Sequence, residues 1–246
     1  LAICGENGAG KSTLMKILSG AYTADKGEIF ISGEKKKITS PKDALDAGIS
    51  VMYQEFNNFE PISIAENIFA GRLFTRGFTK AIDYRKLAEE SRKILEEIGL
   101  KRDPFEKIRN LSVAEKQIVE IAKALSRDTK ILVMDEPTAA LNDKEVENLF
   151  RLIREIKEKG TSIIYISHRL DEIFQICNRV QVMRDGKSVY ISDIKDTSKS
   201  QIISQMVGRE MTDMYPKRES DKGEYVLEVE KLCTSEVSDI SFKVRS

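Results

Sequence analysis

With 246 residues, 40 of them basic and 40 acidic, the chain has no net charge to draw it to nucleic acid or to an anionic membrane surface, and nucleic acid is not among its expected partners. No stretch reaches the roughly 18 uninterrupted apolar residues of a membrane span, and the three cysteines, Cys4, Cys177 and Cys233, are too scattered for metal-ligand spacing. One large domain with a subdomain, in a soluble chain with reduced thiols, is the expectation.

The first apolar run, Leu1–Cys4, reads as a strand, and Gly5-Glu6-Asn7-Gly8-Ala9-Gly10-Lys11-Ser12 follows it. Gly, four residues, Gly-Lys-Ser is the pattern of a phosphate-binding loop. Glycines let successive backbone N–H groups converge on phosphate oxygens, Lys11 reaches the β- and γ-phosphates, and the Ser12 hydroxyl suits Mg²⁺. The helix from Ser12 adds the positive end of its dipole. Gly5, Asn7, Gly8, Gly10, Lys11, Ser12 and Thr13 are therefore the candidate nucleotide-binding set. A tight strand-to-helix turn without a ligand is the bland alternative, and it requires the same flanking elements.

Gly27–Gly33 reads as a short strand bounded by glycines, and Ile49–Tyr53 as a strand ending before Gln54, which is mute in isolation. From about Pro61 to Leu125 strands give way to helices. Leu87, Ile94, Leu95 and Ile98 share one face of a helix over about 84–99. In Leu111-Ser112-Val113-Ala114-Glu115-Lys116, the Ser-x-x-Glu spacing at the start of an amphipathic helix is a capping box, which would explain Ser112 and Glu115 without any function.

The run Ile131–Met134 ends in Asp135-Glu136, two carboxylates at the carboxyl end of a buried strand, where ligands of open α/β sheets bind. Asp135 suits Mg²⁺ and Glu136 could polarise an attacking water, although acidic residues commonly end strands. An amphipathic helix over 142–159 turns Val146, Leu149, Phe150, Ile153 and Ile156 inward. The strand Ser162–Ile166 precedes His168, the only histidine, and a lone histidine is more often a surface or core residue than a catalytic one. Residues 179–191 read as a hairpin turning at Asp185-Gly186, antiparallel and, like 27–33, at a sheet edge. A polar linker with Pro216 is expected over 209–223. Period-two alternation then runs through Tyr225, Leu227 and Val229 and again through Ile240, Phe242 and Val244. Strands alternating with helices predict an α/β fold with a mostly parallel sheet.

Taken in order, these pieces resemble the ATP-binding-cassette ATPases. Gly5–Thr13 is similar to the family's Walker A loop, Gln54 to its Q-loop, Leu111–Lys116 to its signature segment, Ile131–Glu136 to Walker B, Ala139–Asn142 to the D-loop, and His168 to the switch histidine. The stretches "YQEFNNFEPISIAENIFAGR" and "SHRLDEIF" are similar to the ATP-binding subunits of monosaccharide importers, in which two cassettes are fused. The resemblance implies a P-loop NTPase fold with an antiparallel β edge subdomain and a helical insert of the cassette type over about 61–125. It also implies that 1–208 is a first cassette without its leading strands and that 224–246 is the opening hairpin of a second, a fragment of a longer parent. Folding back of 225–244 to take the place of those strands is expected, because an uncovered sheet edge is sticky.

For function, the resemblance implies an ATP-binding and ATP-hydrolysing subunit that powers monosaccharide import, peripheral on the cytoplasmic side of the cell membrane. ATP and Mg²⁺ are the cofactors. The partners are membrane permease subunits, a second cassette or second copy and, indirectly, a periplasmic sugar-binding protein. Glu136 is the general base, His168 the γ-phosphate sensor, Gln54 the relay to the permease, and Ser12, Gln54 and Asp135 the Mg²⁺ ligands. In place of the family's Leu-Ser-Gly-Gly-Gln stands Leu111-Ser112-Val113-Ala114-Glu115, with side chains where backbone must approach phosphate and a carboxylate where an anion should dock. Ser112 is therefore expected to contribute little. Asn142 stands where a D-loop aspartate is usual, with Asp143 next to it.

A nucleotide-operated clamp with little turnover is the second reading, favoured by Val113-Ala114-Glu115 as Glu136 favours the enzyme. A small-molecule phosphoryl transferase would leave Gln54, Asp135-Glu136 and His168 unexplained. The family's adenine-stacking aromatic lies before Walker A, and no counterpart is found in "LCTSEVSD". Phosphate contacts should then dominate affinity, and calorimetric titration is expected to find ATP and GTP binding within about tenfold of each other, roughly 1.4 kcal/mol. A much larger preference for ATP would contradict this.

Overall fold

The computed structural model describes residues 1–53, 58–77, 80–208, 223–234, 236 and 238–245. Two units are distinguished, Leu1–Arg209 and Glu210–Ser246. Gln54 and the expected linker, apart from Gly223, lie outside the described residues.

In chain order the first unit contains β1 (Ala2–Cys4), α1 (Lys11–Leu18), β2 (Ile29–Ile31), β3 (Glu34–Lys36), α2 (Pro41–Asp46) and β4 (Ile49–Met52). Then come α3 (Ile64–Ile68), β5 (Thr75–Arg76), β6 (Ala81–Ile82), α4 (Tyr84–Glu97) and α5 (Val113–Leu125). The remainder is β7 (Ile131–Asp135), α6 (Asp143–Glu158), β8 (Ser162–Ile166), α7 (Leu170–Ile176), β9 (Arg179–Arg184), β10 (Lys187–Asp193) and α8 (Lys199–Val207).

Among the described residues the main sheet runs β10-β9-β1-β8-β7-β4. Every neighbouring pair is parallel except β9 with β10 at the edge. Side chains alternate across it in period two, as a sheet covered on both faces requires. Ala2, Cys4, Leu132, Met134 and Tyr165 face one core with Leu87, Ile121 and Phe150 from the helices. Ile3, Val133 and Ile166 face the other, against Met15 of α1 and Ile49. α6 forms because its apolar residues recur on one side, burying Leu149, Phe150, Leu152, Ile153 and Ile156, while Asn142 caps its start.

Two sequence expectations need correcting. Strand β2 does not lie at the edge of the main sheet; it pairs with β3 in a two-stranded sheet of its own, and β3, Glu-Lys-Lys, is too polar to show as an apolar run. The 61–125 insert is not wholly helical either, since β5 and β6 pair antiparallel within it, and two-residue strands are too short to leave a periodic signature. In the second unit β11 (Tyr225–Leu232) pairs antiparallel with β12 (Ile240–Arg245). That pairing is the whole of its sheet among the described residues.

Leu132, at 0 % exposure in a central strand, tests this packing. Leu132→Ala is expected to lower stability by about 3 kcal/mol in urea denaturation, the transfer term plus the cavity it leaves.

Candidate functional site

The loop after β1 is held in a narrow slot. A Cβ on Gly5 would come within 2.9 Å of the Ala9 Cβ and would also strike the Met183 carbonyl of β9. The Gly186 N–H in the β9–β10 turn donates to the Ala9 carbonyl at 3.1 Å, and the Ala9 N–H donates to the Glu6 carbonyl at 3.1 Å. These contacts curl the chain so that Gly10, at φ 95°, becomes the N-cap of α1 without any side-chain cap. A helix start leaves its first N–H groups without intrahelical partners, and here they carry the positive end of the helix dipole. The direction in which a Gly8 side chain would point meets no atom within 4 Å. Asn7, Ser12 and Thr13 are exposed at the rim of the loop. Lys11 turns back over the loop, donating from Nζ to the carbonyls of Gly5 at 2.7 Å and Glu6 at 3.1 Å.

Asp135 closes β7, two strands from β1, and Glu136 follows it with φ 47°, a left-handed conformation that few non-glycine residues adopt. The Glu136 N–H donates to the Ile166 carbonyl of β8 at 2.9 Å, which fixes the turn and aims the carboxylate across the ends of the strands. There Glu136 Oε1 lies 3.1 Å from His168 Nδ1. Burial pushes the Asp135 carboxyl above its ordinary pKa, and the neighbouring Glu136 charge pushes the same way, while Lys11 and His168 pull it down. Lys11, Asp135, Glu136 and His168 thus share one electrostatic neighbourhood at the carboxyl ends of parallel strands. Of the residues singled out from sequence, the structure brings Lys11, Asp135, Glu136 and His168 near one another beside the Gly5–Thr13 loop, and Gln54 lies outside the described residues.

Ser112 and Asn142 have structural work. Ser112 Oγ accepts from the Glu115 N–H at 3.3 Å while Glu115 Oε2 accepts from the Ser112 N–H at 2.9 Å, and Asn142 with Glu145 repeats this capping box at α6. Glu115 is also gripped by Arg102, Nε to Oε1 at 2.8 Å, and that guanidinium holds its carboxyl below the usual carboxylate range.

Sequence reading missed Thr138, Glu172 and the brace that the Gly186 N–H gives to the Ala9 carbonyl. Glu172, in the first turn of α7, is a charged residue at 5 % exposure beside the fully buried Ile173; an acid on the inward face of an amphipathic helix was the available signal. No group of three or more His, Cys, Asp or Glu able to hold a metal is found among the described residues. One carboxylate and one hydroxyl, Asp135 and Ser12, do not make a protein cage; they fit Mg²⁺, which keeps waters and takes its other oxygens from phosphates. No helix among the described residues is long and apolar enough to cross a membrane.

A family model described as ABC transporter matches residues 1–139. The ribose import ATP-binding protein RbsA of Clostridium perfringens (strain 13 / Type A) is 48 % identical over 245 residues, covering 99 % of this chain and 49 % of that protein. A putative ribose/galactose/methyl galactoside import ATP-binding protein 1 of Burkholderia cenocepacia is 46 % identical over 246 residues, with 100 % and 47 % covered. The chain thus spans about half the length of the curated relatives it matches. Among solved structures, the ADP conformation of MJ1267, an ATP-binding cassette of an ABC transporter, superposes with TM-score 0.71 at 26 % identity, over 85 % of this chain and 87 % of that one.

The raised Asp135 carboxyl carries a stability consequence. A folded-state pKa above the unfolded value means the charged form is disfavoured by folding, so the burden is full above the raised value and gone below the ordinary one. Asp135→Asn is therefore expected to raise the melting temperature of the nucleotide-free protein at pH 7. Melting curves taken at successively lower pH should show that gain shrinking as the wild-type carboxyl takes up its proton.

Proposed function

Because the chain belongs to the ABC transporter family, we propose that it binds and hydrolyses ATP with Mg²⁺ as the ATP-binding part of a monosaccharide importer, at the cytoplasmic face of a cell membrane. The names of the ribose and galactose import relatives support the sugar class. Permease subunits and a second cassette, or a second copy, are the proposed partners. The observation that carries the reading is the contact at 3.1 Å between His168 Nδ1 and the carboxylate of Glu136, which a strained backbone aims across the strand ends.

In this reading the N–H groups of the Gly5–Thr13 loop surround the β- and γ-phosphates, and Lys11 leaves its loop carbonyls to join them. The Ser12 hydroxyl and Asp135 would hold Mg²⁺, which would supply charge neutralisation to the phosphate oxygens. Glu136 accepts the proton of a water whose oxygen attacks the γ-phosphorus in line; the bond to the β,γ-bridging oxygen breaks, leaving ADP and phosphate. His168 keeps Glu136 oriented and presents its other ring nitrogen, Nε2, for a γ-phosphate oxygen. Gln54, next after Tyr53 beyond β4, is assigned the relay to the permease and a place near the metal.

Glu115 favours the clamp reading. Its carboxylate, kept negative by Arg102, sits at the start of α5 where a partner's nucleotide would dock, and it repels phosphate there. Ser112 then acts as a helix cap more than as a phosphate contact.

Steady-state phosphate release and calorimetric nucleotide binding, on wild type and Glu136→Gln, separate the two. Loss of a general base is expected to slow release by about 10²-fold or more while binding is retained. Equal rates in the two proteins would leave the clamp.

A further inference from the structure

One carboxylate gathers the two segments that carry the proposed hydrolytic pair. Thr138, two residues after Glu136, donates from Oγ1 to Glu172 Oε1 at 2.7 Å and lies 2.8 Å from Oε2. Ser167, immediately before His168, donates to Oε2 at 3.1 Å, and Arg169, immediately after it, donates from Nη1 to Oε1 at 2.8 Å. Tyr165 of β8 adds its hydroxyl to Oε2 at 2.8 Å. Thr138, Ser167, Tyr165 and Glu172 are all at 5 % exposure or less, so these bonds are shielded from water. Burial, and next the Glu172 charge, push the Tyr165 phenol up, so it stays a donor. Arg169 reaches the carboxylate from a half-exposed position.

We propose that Glu172 is a positioning residue, whose carboxylate locks the segment after Glu136 to the segment bearing His168 and thereby sets the distance between base and histidine. The geometry suits the task. A buried charged acceptor with four different donors tolerates little displacement of any of them, and charge-assisted bonds are the stiffest available. Without this lock the two segments are joined near the site by the Glu136 N–H bond to Ile166 and by the 3.1 Å contact itself, which has a half-exposed imidazole on one side.

This rests on the reading of Glu136 and His168 as the hydrolytic pair, and the test has one arm independent of turnover. His168 is the only histidine of the chain, so its imidazole gives one resolved set of ring resonances in heteronuclear NMR. Thr138→Val removes a hydroxyl and keeps the volume; Thr138→Ser keeps the hydroxyl; Ser167→Ala cuts the lock from the other side. In nucleotide-free protein, Thr138→Val and Ser167→Ala are expected to move the His168 resonances in the direction that Glu136→Gln moves them, with Thr138→Ser close to wild type. In turnover, Thr138→Val is expected to lower kcat by about tenfold or more with KM for ATP within about twofold, since a shift of about 1 Å in reacting groups suffices for such a loss. Thr138→Ser is expected to restore it, and the effects of Thr138→Val and Ser167→Ala on kcat should be non-additive. Unchanged His168 resonances in both Thr138→Val and Ser167→Ala would overturn the proposal. So would loss of kcat only in proportion to folded fraction measured by circular dichroism. Shifted resonances in Thr138→Val and Ser167→Ala, together with a wild-type turnover no faster than that of Glu136→Gln, would uphold the lock and remove the hydrolytic reading instead.

Discussion

Parallel pairing of β1 with β8 and of β8 with β7 is the constraint from which the site follows. Strands that run the same way release their chains at one end of the sheet, so three segments far apart in sequence, those after Cys4, Asp135 and Ile166, emerge side by side. Nothing in the loop of Gly5–Ser12 specifies where Glu136 will be; the register Met134 to Tyr165 and Asp135 to Ile166 does. The sheet's alternation is what holds that register, because slipping one residue would exchange Leu132 and Met134 for Val133 between two differently shaped cores.

The site built on this frame is electrostatically unfavourable by itself. Two carboxylates in succession, both part-buried, raise the energy of the charged state, and Lys11 and His168 relieve that only in part. Glu136 adds a backbone conformation that most residues avoid. The surrounding network over-determines these positions: Ile166 receives the Glu136 N–H, and Glu172 collects Thr138, Tyr165, Ser167 and Arg169. Strain of this kind is retained where a ligand's charge will later be met.

What the sequence disclosed was whatever is encoded locally. The phosphate loop is contiguous, the Asp135-Glu136 pair ends an apolar run, and α6 repeats its apolar residues at helical spacing. The capping box at Ser112 was legible for the same reason, since both partners lie within four residues. The unread parts depend on distance along the chain. Thr138 and Glu172 are 34 residues apart, and only the fold brings a threonine after a proline under a glutamate on α7. Gly186 braces the phosphate loop from a hairpin more than 170 positions downstream, a contact no window of sequence contains. β3 was hidden by its polarity, and β5 and β6 by their brevity. His168 and Gln54 were silent as single residues and gained meaning from the order of the motifs around them.

The Lys11 ammonium does not wait in solvent; it already has two carbonyl partners within its own loop. Capture of an anion there is consequently an exchange, in which the incoming oxygens must outbid backbone acceptors that cost nothing to reach. A singly charged ion offers little beyond what those carbonyls supply, whereas clustered charge does. Under the proposed nucleotide-binding role, the bend would thereby filter by charge density, remaining self-satisfied among the dilute inorganic ions of its surroundings.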